Sequence, residues 1–200
     1  MLKNQNKMIS SVVVYCASST KVKTCYFDAA KRLGRILAQN DILCCNGAGN
    51  MGLMATVSNA VLENGGRVTG VIPQFMCEQG WHHTGLTMLE IVDSMHERKL
   101  RMMQIADAAI ALPGGCETLE ELLEVITWKQ LGLFLKPIVI VNVNDFFTPL
   151  LNYLEQLIEE QFMRPIHRKI WTVVETPEDV IHAIETAEPW DPSQRKNAAI

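Results

Sequence analysis

The chain has 200 residues, of which 48% are hydrophobic and 20% are charged, and its formal net charge is −4. This composition is typical of a globular protein, and the length suits one domain with a substantial core. The negative balance argues against a nucleic-acid-binding protein, whose surface would be basic. No apolar run approaches the roughly 18 residues that cross a bilayer, so we expect neither nucleic acid nor membrane as a partner.

The cysteine and histidine spacing indicates neither a disulfide framework nor a metal site. The six cysteines include no C-x-x-C pair, and two of them, Cys44 and Cys45, are adjacent. Thiols of this kind are typical buried small hydrophobes of a reducing compartment, so we predict a cytoplasmic protein. Cys77, His82 and His83 match no standard zinc spacing and lack a fourth ligand, so we predict no metal.

Short β-branched runs alternate along the chain with segments of helical periodicity. The predicted strands are 9–16, 41–45, 67–72, 88–92, 107–112, 136–141 and 170–174. The predicted helices are 22–39, 53–63, 94–105, 119–131, 148–161 and 176–186, and segment 74–87 is predicted to be an exposed loop. This alternation predicts an α/β fold with a mostly parallel sheet of about seven strands and helices on both faces. We predict one domain over 1–187 and a loose polar tail over 188–200.

One stretch, 112–121, has the sequence of an anion-binding turn. An apolar strand is followed by Pro113, Gly114 and Gly115 and then by a segment of helical spacing. In such a turn the free backbone N–H groups at the helix start converge on an anion, and Thr118 would add a hydroxyl. Glu121 would place a carboxylate on the same helix face. The alternative is a capping box, in which Thr118 and Glu121 only cap the helix.

Two other segments are candidates for the same carboxyl edge of the sheet, where ligands bind in folds of this class. Segment 47–52 satisfies G-x-G-x-x-G, which leaves open a dinucleotide site, a tight turn without ligand, or another phosphate contact. Arg98 and Lys99 fall near the start of a helix, where the helix dipole disfavours cations. They either form a solvated basic face, or Arg98 points into the cleft towards an anion or a carboxylate.

Taken together, the motifs resemble those of the Lonely Guy (LOG) family. Segment 46–54 is similar to the family's GGGxxGLMG segment, 95–99 to its MHERK segment, and 113–121 to its PGGxGTxxE signature. Segment 16–19 resembles its CGSS turn. The similarity extends over about residues 8 to 186, and the joint match is much more specific than any single motif.

The resemblance implies a Rossmann-like homodimer or larger homo-oligomer that hydrolyses the N-glycosidic bond of cytokinin riboside 5′-monophosphates, and in some relatives of AMP. The products are the free base and ribose 5-phosphate, and no cofactor or metal is required. Some members carry the name lysine decarboxylase, but no lysine here is in a setting that suggests a Schiff base. The resemblance makes Arg98 and Glu121 the catalytic pair. The residues that it assigns to the phosphate and the nucleotide are Ser18, Gly49, Met95, Lys99, Gly114, Gly115 and Thr118.

The chain departs from the family pattern at Glu117, where the family has glycine, and more mildly at Ala17. A glycine would permit an unusual backbone angle and the close approach of a phosphate. A glutamate instead adds a negative charge that costs about 4 kcal/mol against a like charge at about 4 Å and an effective dielectric near 20. The alternative function is therefore a nucleotide- or phosphosugar-binding protein in which Glu117 has weakened or abolished hydrolysis.

Overall fold

The computed structural model describes residues 9–197, and within them one seven-stranded sheet forms the centre of the molecule. All neighbouring strands pair in parallel, in the order β4-β3-β2-β1-β5-β6-β7. The strands are β1 Ser11–Tyr15, β2 Leu43–Asn46, β3 Val68–Pro73, β4 Met88–Val92, β5 Ala108–Ala111, β6 Ile138–Val141 and β7 Thr172–Val174. The predicted fold class is confirmed.

The helices agree with the predicted periodicity except at three places, one of which is the predicted helix 176–186, whose first turn, Pro177–Asp179, is a 3₁₀ turn. They are α1 Thr24–Gln39, α2 Gly52–Glu63, α3 Gln74–Glu78, α4 Met95–Ile105, α5 Cys116–Gln130, α6 Thr148–Glu159 and α7 Val180–Glu185. The short helix α3 lies in the segment that was predicted to be a loop, and it has no fully buried residue whose periodicity could reveal it. Helix α5 begins at Cys116 rather than at Leu119, because its first two residues, Cys116 and Glu117, are exposed and carry no apolar periodicity.

Two apolar layers cover the two faces of the sheet. Alternate residues of β1 belong to opposite layers, Val12 and Val14 to one and Val13 and Tyr15 to the other. Helices α1, α2 and α7 pack on the first face, and α4, α5 and α6 on the second. Because β1 is buried on both faces, its sequence is a continuous apolar run, as expected for a central parallel strand.

The strand order reverses between β1 and β5, which are neighbours in the sheet although three strands separate them in the chain. Chains that leave these two strands turn to opposite sides, so a crevice opens beyond their carboxyl ends. Backbone hydrogen bonds join its two walls: the Leu112 N–H donates to Tyr15 O at 2.9 Å, and the Ala17 N–H donates to Pro113 O at 3.2 Å. The anion-binding turn therefore lies beside the turn that follows β1.

Close packing of α1 on α2 fixes the start of α2 against the same crevice. Gly34 of α1 faces the backbone of α2, where an added Cβ would lie 2.6 Å from Val57 O and 2.7 Å from the Ala60 side chain. At its start, α2 donates the Leu53 N–H to Ala17 O at 2.9 Å. Gly52 just before has φ +63°, a left-handed conformation that favours glycine.

Parts of the predicted ends of the domain and tail, residues 1–8 and 198–200, lie outside the described residues. After α7 the chain returns to the core at Trp190, which is only 7% exposed. Glu188 forms an ion pair with Lys169 at 2.9 Å. Glu188 and Trp190 are therefore held by contacts with the rest of the domain. The polar composition of the tail did not reveal these contacts. Over residues 9–197, no helix has the length and apolar character needed to span a bilayer.

We predict that Gly34→Ala destabilises the protein by about 1–3 kcal/mol, because its methyl group has no space between α1 and α2. Helix propensity alone would give the opposite sign, since alanine is favoured over glycine by about 1 kcal/mol inside a helix. Urea unfolding measures the difference. The control is Lys31→Ala at an exposed site of the same helix, for which we expect a change within about 0.5 kcal/mol. A stabilised Gly34→Ala variant would contradict the close packing.

Candidate active site

A cavity of about 250 Å³ lies at the carboxyl edge of the sheet, between the turn after β1 and the start of α5. It is lined by Cys16, Ala17, Ser18, Ser19, Gly115, Cys116, Glu117 and Thr118. Gly115 and Thr118, which the resemblance assigns to the phosphate, are therefore brought together here with Ser18, which it assigns to the nucleotide. The cavity lies at the point where the strand order reverses, the usual ligand position in open α/β sheets.

The start of α5 presents unpaired backbone donors to this cavity. Gly115 is the N-cap and makes no side-chain cap, and the Leu119 N–H donates to Gly115 O at 3.0 Å as the first helical bond. The N–H groups of the first three helical residues have no partner inside the helix and suit an anion. Thr118 lies inside the helix and is only 2% exposed, so the capping-box alternative is wrong. A Cβ at Gly114 would collide with the Thr118 hydroxyl.

One turn further along α5, Glu121 is a buried carboxyl group that is 8% exposed. Burial raises the pKa of Glu121 from 4.5 to about 7; the Arg98 guanidinium opposes the increase, and the Glu117 charge adds to it. Among the described residues no hydrogen bond to this carboxylate is present, so its oxygens are available to a water or a substrate. A carboxyl group of this pKa can exchange a proton near neutral pH.

Arg98 reaches Glu121 from the first turn of α4 and is itself only 5% exposed. Its Nε donates to Val71 O at 3.1 Å and its Nη2 to Gly47 O at 3.2 Å, while Nη1 lies 3.9 Å from Glu121 Oε1. The solvated-face alternative is therefore wrong for Arg98. Gly47 is required at its position because a Cβ there would collide with the guanidinium group.

Two further predicted residues, Met95 and Lys99, belong to the same helix as Arg98, but only Met95 contacts the Arg98 side chain. Met95 is half-buried, and its Sδ lies 3.9 Å from Arg98 Nη1. The Lys99 ammonium group is buried and donates to Glu120 at 2.8 Å and to Glu124 at 3.2 Å. Lys99 is thus in contact with α5, but it does not line the cavity.

The G-x-G-x-x-G segment ends at the start of α2, where the first backbone N–H groups are already paired. Both the Leu53 and the Met54 N–H groups donate to Ala17 O, at 2.9 and 3.2 Å. The donors that would hold a pyrophosphate are therefore occupied, which argues against the dinucleotide alternative. Gly49 donates its N–H to the Met54 sulfur at 2.9 Å and pairs with His82 in an isolated bridge.

Sequence reasoning missed several residues of the site. Ser19 and Cys116 line the cavity; they belong to the motif segments 16–19 and 113–121, but neither was assigned a role. Tyr15 is buried at the end of β1, and its pKa is raised by burial and then by the Glu121 charge. The available signal was topological, since residues that follow β1 and β5 must meet where the strand order reverses. Cys77 Sγ lies 3.6 Å from His82 Nδ1, but over residues 9–197 no group of three His, Cys, Asp or Glu could hold a metal ion.

Solved structures share this architecture. A molybdenum cofactor binding protein of Rippkaea orientalis matches with a TM-score of 0.69 and 16% identity over 90% of this chain and 98% of that chain. The Moco carrier protein of Chlamydomonas reinhardtii matches with a TM-score of 0.68 and 14% identity, over 89% and 96% of the two chains. At these identities the likeness shows the fold alone.

Sequence relatives are much closer. The cytokinin riboside 5′-monophosphate phosphoribohydrolase of Rhodococcoides fascians is 42% identical over 177 residues, which cover 88% of this chain and 89% of the relative. The enzyme LOG3 of Arabidopsis thaliana, of the same name, is 40% identical over 187 residues, or 92% and 86% of the two chains. A family model described as "Possible lysine decarboxylase" matches residues 54–184. The chain therefore belongs to the LOG family, whose members include these phosphoribohydrolases.

Proposed function

We propose that the chain hydrolyses the N-glycosidic bond of a nucleoside 5′-monophosphate, with cytokinin riboside 5′-monophosphates and AMP as substrates. The products are the free base and ribose 5-phosphate. The observation that carries the proposal is the buried Glu121 carboxyl group, which faces Arg98 one helical turn behind an anion-binding helix start. The activity by which relatives about 40% identical are named supports the choice of substrate class.

Glu121 has the properties that this reaction needs. Cleavage of a base from ribose passes through an oxocarbenium-like state, in which positive charge develops on the sugar. An ionised Glu121 stabilises that charge, or takes a proton from the water that attacks the anomeric carbon. With a pKa of about 7, Glu121 is a stronger base than an ordinary carboxylate. Above pH 7 it is nevertheless ionised in more than half of the molecules.

Arg98 keeps this carboxylate oriented and charged. Two of its donors are fixed on the carbonyl groups of Val71 and Gly47, so the guanidinium group is held in place before substrate binds. A fixed cation near a buried carboxylate lowers its pKa and offsets part of the burial effect. Such preorganised charge is effective because no group has to reorganise during the reaction.

The 5′-phosphate would bind the N–H groups at the start of α5, with Gly114, Gly115, Thr118 and Ser18 around it. The collision that a Cβ at Gly114 would cause and the burial of Thr118 support this role. The resemblance assigns the remaining contacts of the nucleotide to Gly49, Met95 and Lys99. Anchoring the phosphate at a fixed distance from Glu121 would position the reacting carbon.

A second candidate is a nucleotide- or phosphosugar-binding protein with weakened or lost hydrolysis. Glu117 favours it, because this acidic residue is exposed at the start of α5 and lines the cavity where the phosphate would bind. Its backbone is helical and has no positive φ, so a glutamate fits there without strain. This candidate predicts thermal stabilisation by the nucleotide without release of base.

Three further properties complete the proposal. We propose that the reaction needs no cofactor, since the substrate supplies the leaving group and water the nucleophile. We propose a homodimer or larger homo-oligomer, supported by an apolar groove of about 660 Å³ beside α4 and α5 that includes Leu100, Trp128 and Leu133. All six cysteines are free thiols, which supports a reducing, cytoplasmic location.

The test is incubation with AMP and with isopentenyladenosine 5′-monophosphate, followed by chromatography of the bases. Release of adenine or isopentenyladenine is expected from at least one of them. If high enzyme concentration releases neither base, the proposed hydrolysis is wrong. Stabilisation by the nucleotides in that case would favour the second candidate.

We predict that Glu121→Gln lowers kcat by about 1,000-fold, because the neutral amide can neither take a proton nor stabilise positive charge. The substitution keeps the size of the side chain, so circular dichroism should show an unchanged fold. Binding of AMP, measured by calorimetry, should be retained, since the phosphate donors are untouched. Retention of kcat would exclude Glu121 as a catalytic residue.

We predict that kcat/KM falls about tenfold for each pH unit below about 7, as Glu121 becomes protonated in the free enzyme.

The free energy of unfolding is predicted to have the opposite dependence on pH. Because the pKa of Glu121 is higher in the folded state than the ordinary 4.5, its protonation stabilises the fold below 4.5, and this contribution is lost as pH rises through about 7. At pH 8, Glu121→Gln should therefore be more stable than the parent by about 3 kcal/mol. Denaturant unfolding at pH 8 and pH 5 checks that the difference shrinks on acidification.

We predict that Gly47→Ala lowers kcat/KM by about 100-fold, because its methyl group displaces the Arg98 guanidinium from Glu121. A double-mutant cycle with Arg98→Lys isolates the cause. The shorter lysine head lacks the colliding Nη2 group, so adding Gly47→Ala to Arg98→Lys should cost little more. Additive losses would show that Gly47 does not act through Arg98.

A further inference from the structure

Glu117 is the charged residue among the eight that line the cavity, and the other seven supply only neutral groups. Of the cations near the cavity, Arg98 is engaged with Glu121 and two backbone carbonyls, and Lys99 with Glu120 and Glu124. Lys21 and Lys23 lie exposed in the loop after Ser19 and do not line the cavity. A phosphate dianion in this cavity would thus meet helix N–H groups and hydroxyls, but it would also meet a carboxylate with no lining cation to compensate. The cavity resembles a phosphate site whose charge balance has been changed by one residue.

The position of Glu117 suits a ligand that can donate a hydrogen bond. It is the second residue of α5, between the free N–H groups of the first turn, and its charge is felt at Glu121, whose pKa it raises. A hydroxyl group at this place would donate to the Glu117 carboxylate and accept from a helix N–H, which satisfies both. A phosphate dianion offers acceptors only and cannot donate to a carboxylate.

We propose that this site accepts unphosphorylated purine ribosides, with Glu117 as the specificity-determining residue that binds the ribose 5′-hydroxyl. The inference rests on the proposed N-glycosidic hydrolysis and changes only the group at the 5′ position. The same bond is broken, water adds to the anomeric carbon, and the products are the free base and ribose. Glu121 and Arg98 keep their roles, because they lie one turn deeper along α5 than the 5′ group.

The experiment compares kcat/KM for adenosine with AMP, and for isopentenyladenosine with its 5′-monophosphate. We expect the parent enzyme to hydrolyse riboside and monophosphate with kcat/KM values within about tenfold of each other. Glu117→Gly should raise the ratio of monophosphate to riboside by at least about 100-fold, since it removes the like charge and the hydroxyl acceptor together. Glu117→Gln keeps the helix start intact and removes only the charge, so its ratio should also rise.

Glu160→Gln is the matched control. It removes one negative charge just after α6, at an exposed site on the end of a helix that points away from the carboxyl edge of the sheet. Its ratio should equal that of the parent. If the parent strongly prefers the monophosphate and neither Glu117 variant changes the ratio, this inference is wrong while the proposed hydrolysis stands. If neither riboside nor monophosphate is cleaved, the proposed hydrolysis fails and the inference fails with it.

Discussion

The buried contact between Arg98 and Glu121 is the interaction on which the rest of the site depends. A buried guanidinium group is stable only when its donors are paired, and here the partners come from four elements: Gly47 after β2, Val71 of β3, α4 itself and Glu121 of α5. The ion-pair distance of 3.9 Å is long, so burial dominates and the pKa of Glu121 remains high. The fold therefore holds a carboxylate in a poised state at a cost in stability, as is common at functional sites.

Two helices, α2 and α5, begin at the same edge of the sheet, and they differ in whether their first backbone N–H groups are paired. The start of α2 is closed, because Ala17 O accepts its Leu53 and Met54 N–H groups. The start of α5 is open and faces the cavity, since Gly115 provides no side-chain cap. The turn after β1 contacts both helix starts. Its backbone carbonyl accepts hydrogen bonds from α2, and its serines line the cavity at the start of α5. Of the two glycine-rich helix starts at this edge, only the one that the sequence favoured as an anion-binding turn, 112–121, keeps its first N–H groups unpaired among the described residues.

Sequence reasoning predicted the parallel fold well, because buried strands such as 12–14 are continuous apolar runs and the helices have clear periodicity. It also selected Arg98 and Glu121, through the joint motifs. It could not predict that Lys99 turns to Glu120, since ion-pair choice depends on three-dimensional neighbours. It gave no role to Ser19 and Cys116 although both lie in the motif segments, since these residues meet at the cavity only through the neighbouring positions of β1 and β5.

The charge of Glu117 acts both on the cavity that this residue lines and on the Glu121 carboxyl group. Near the start of α5 its charge is favourable to the helix dipole, but it raises the pKa of Glu121 and so opposes the ionisation that the proposed hydrolysis needs. A phosphate dianion bound in the same cavity would act on Glu121 in the same direction, and among the described residues Arg98 and, more weakly, Lys99 act against it. A substrate with a neutral 5′-hydroxyl avoids both the repulsion from Glu117 and this added opposition. The residue that least fits a phosphate site is therefore consistent with a site for a less charged sugar.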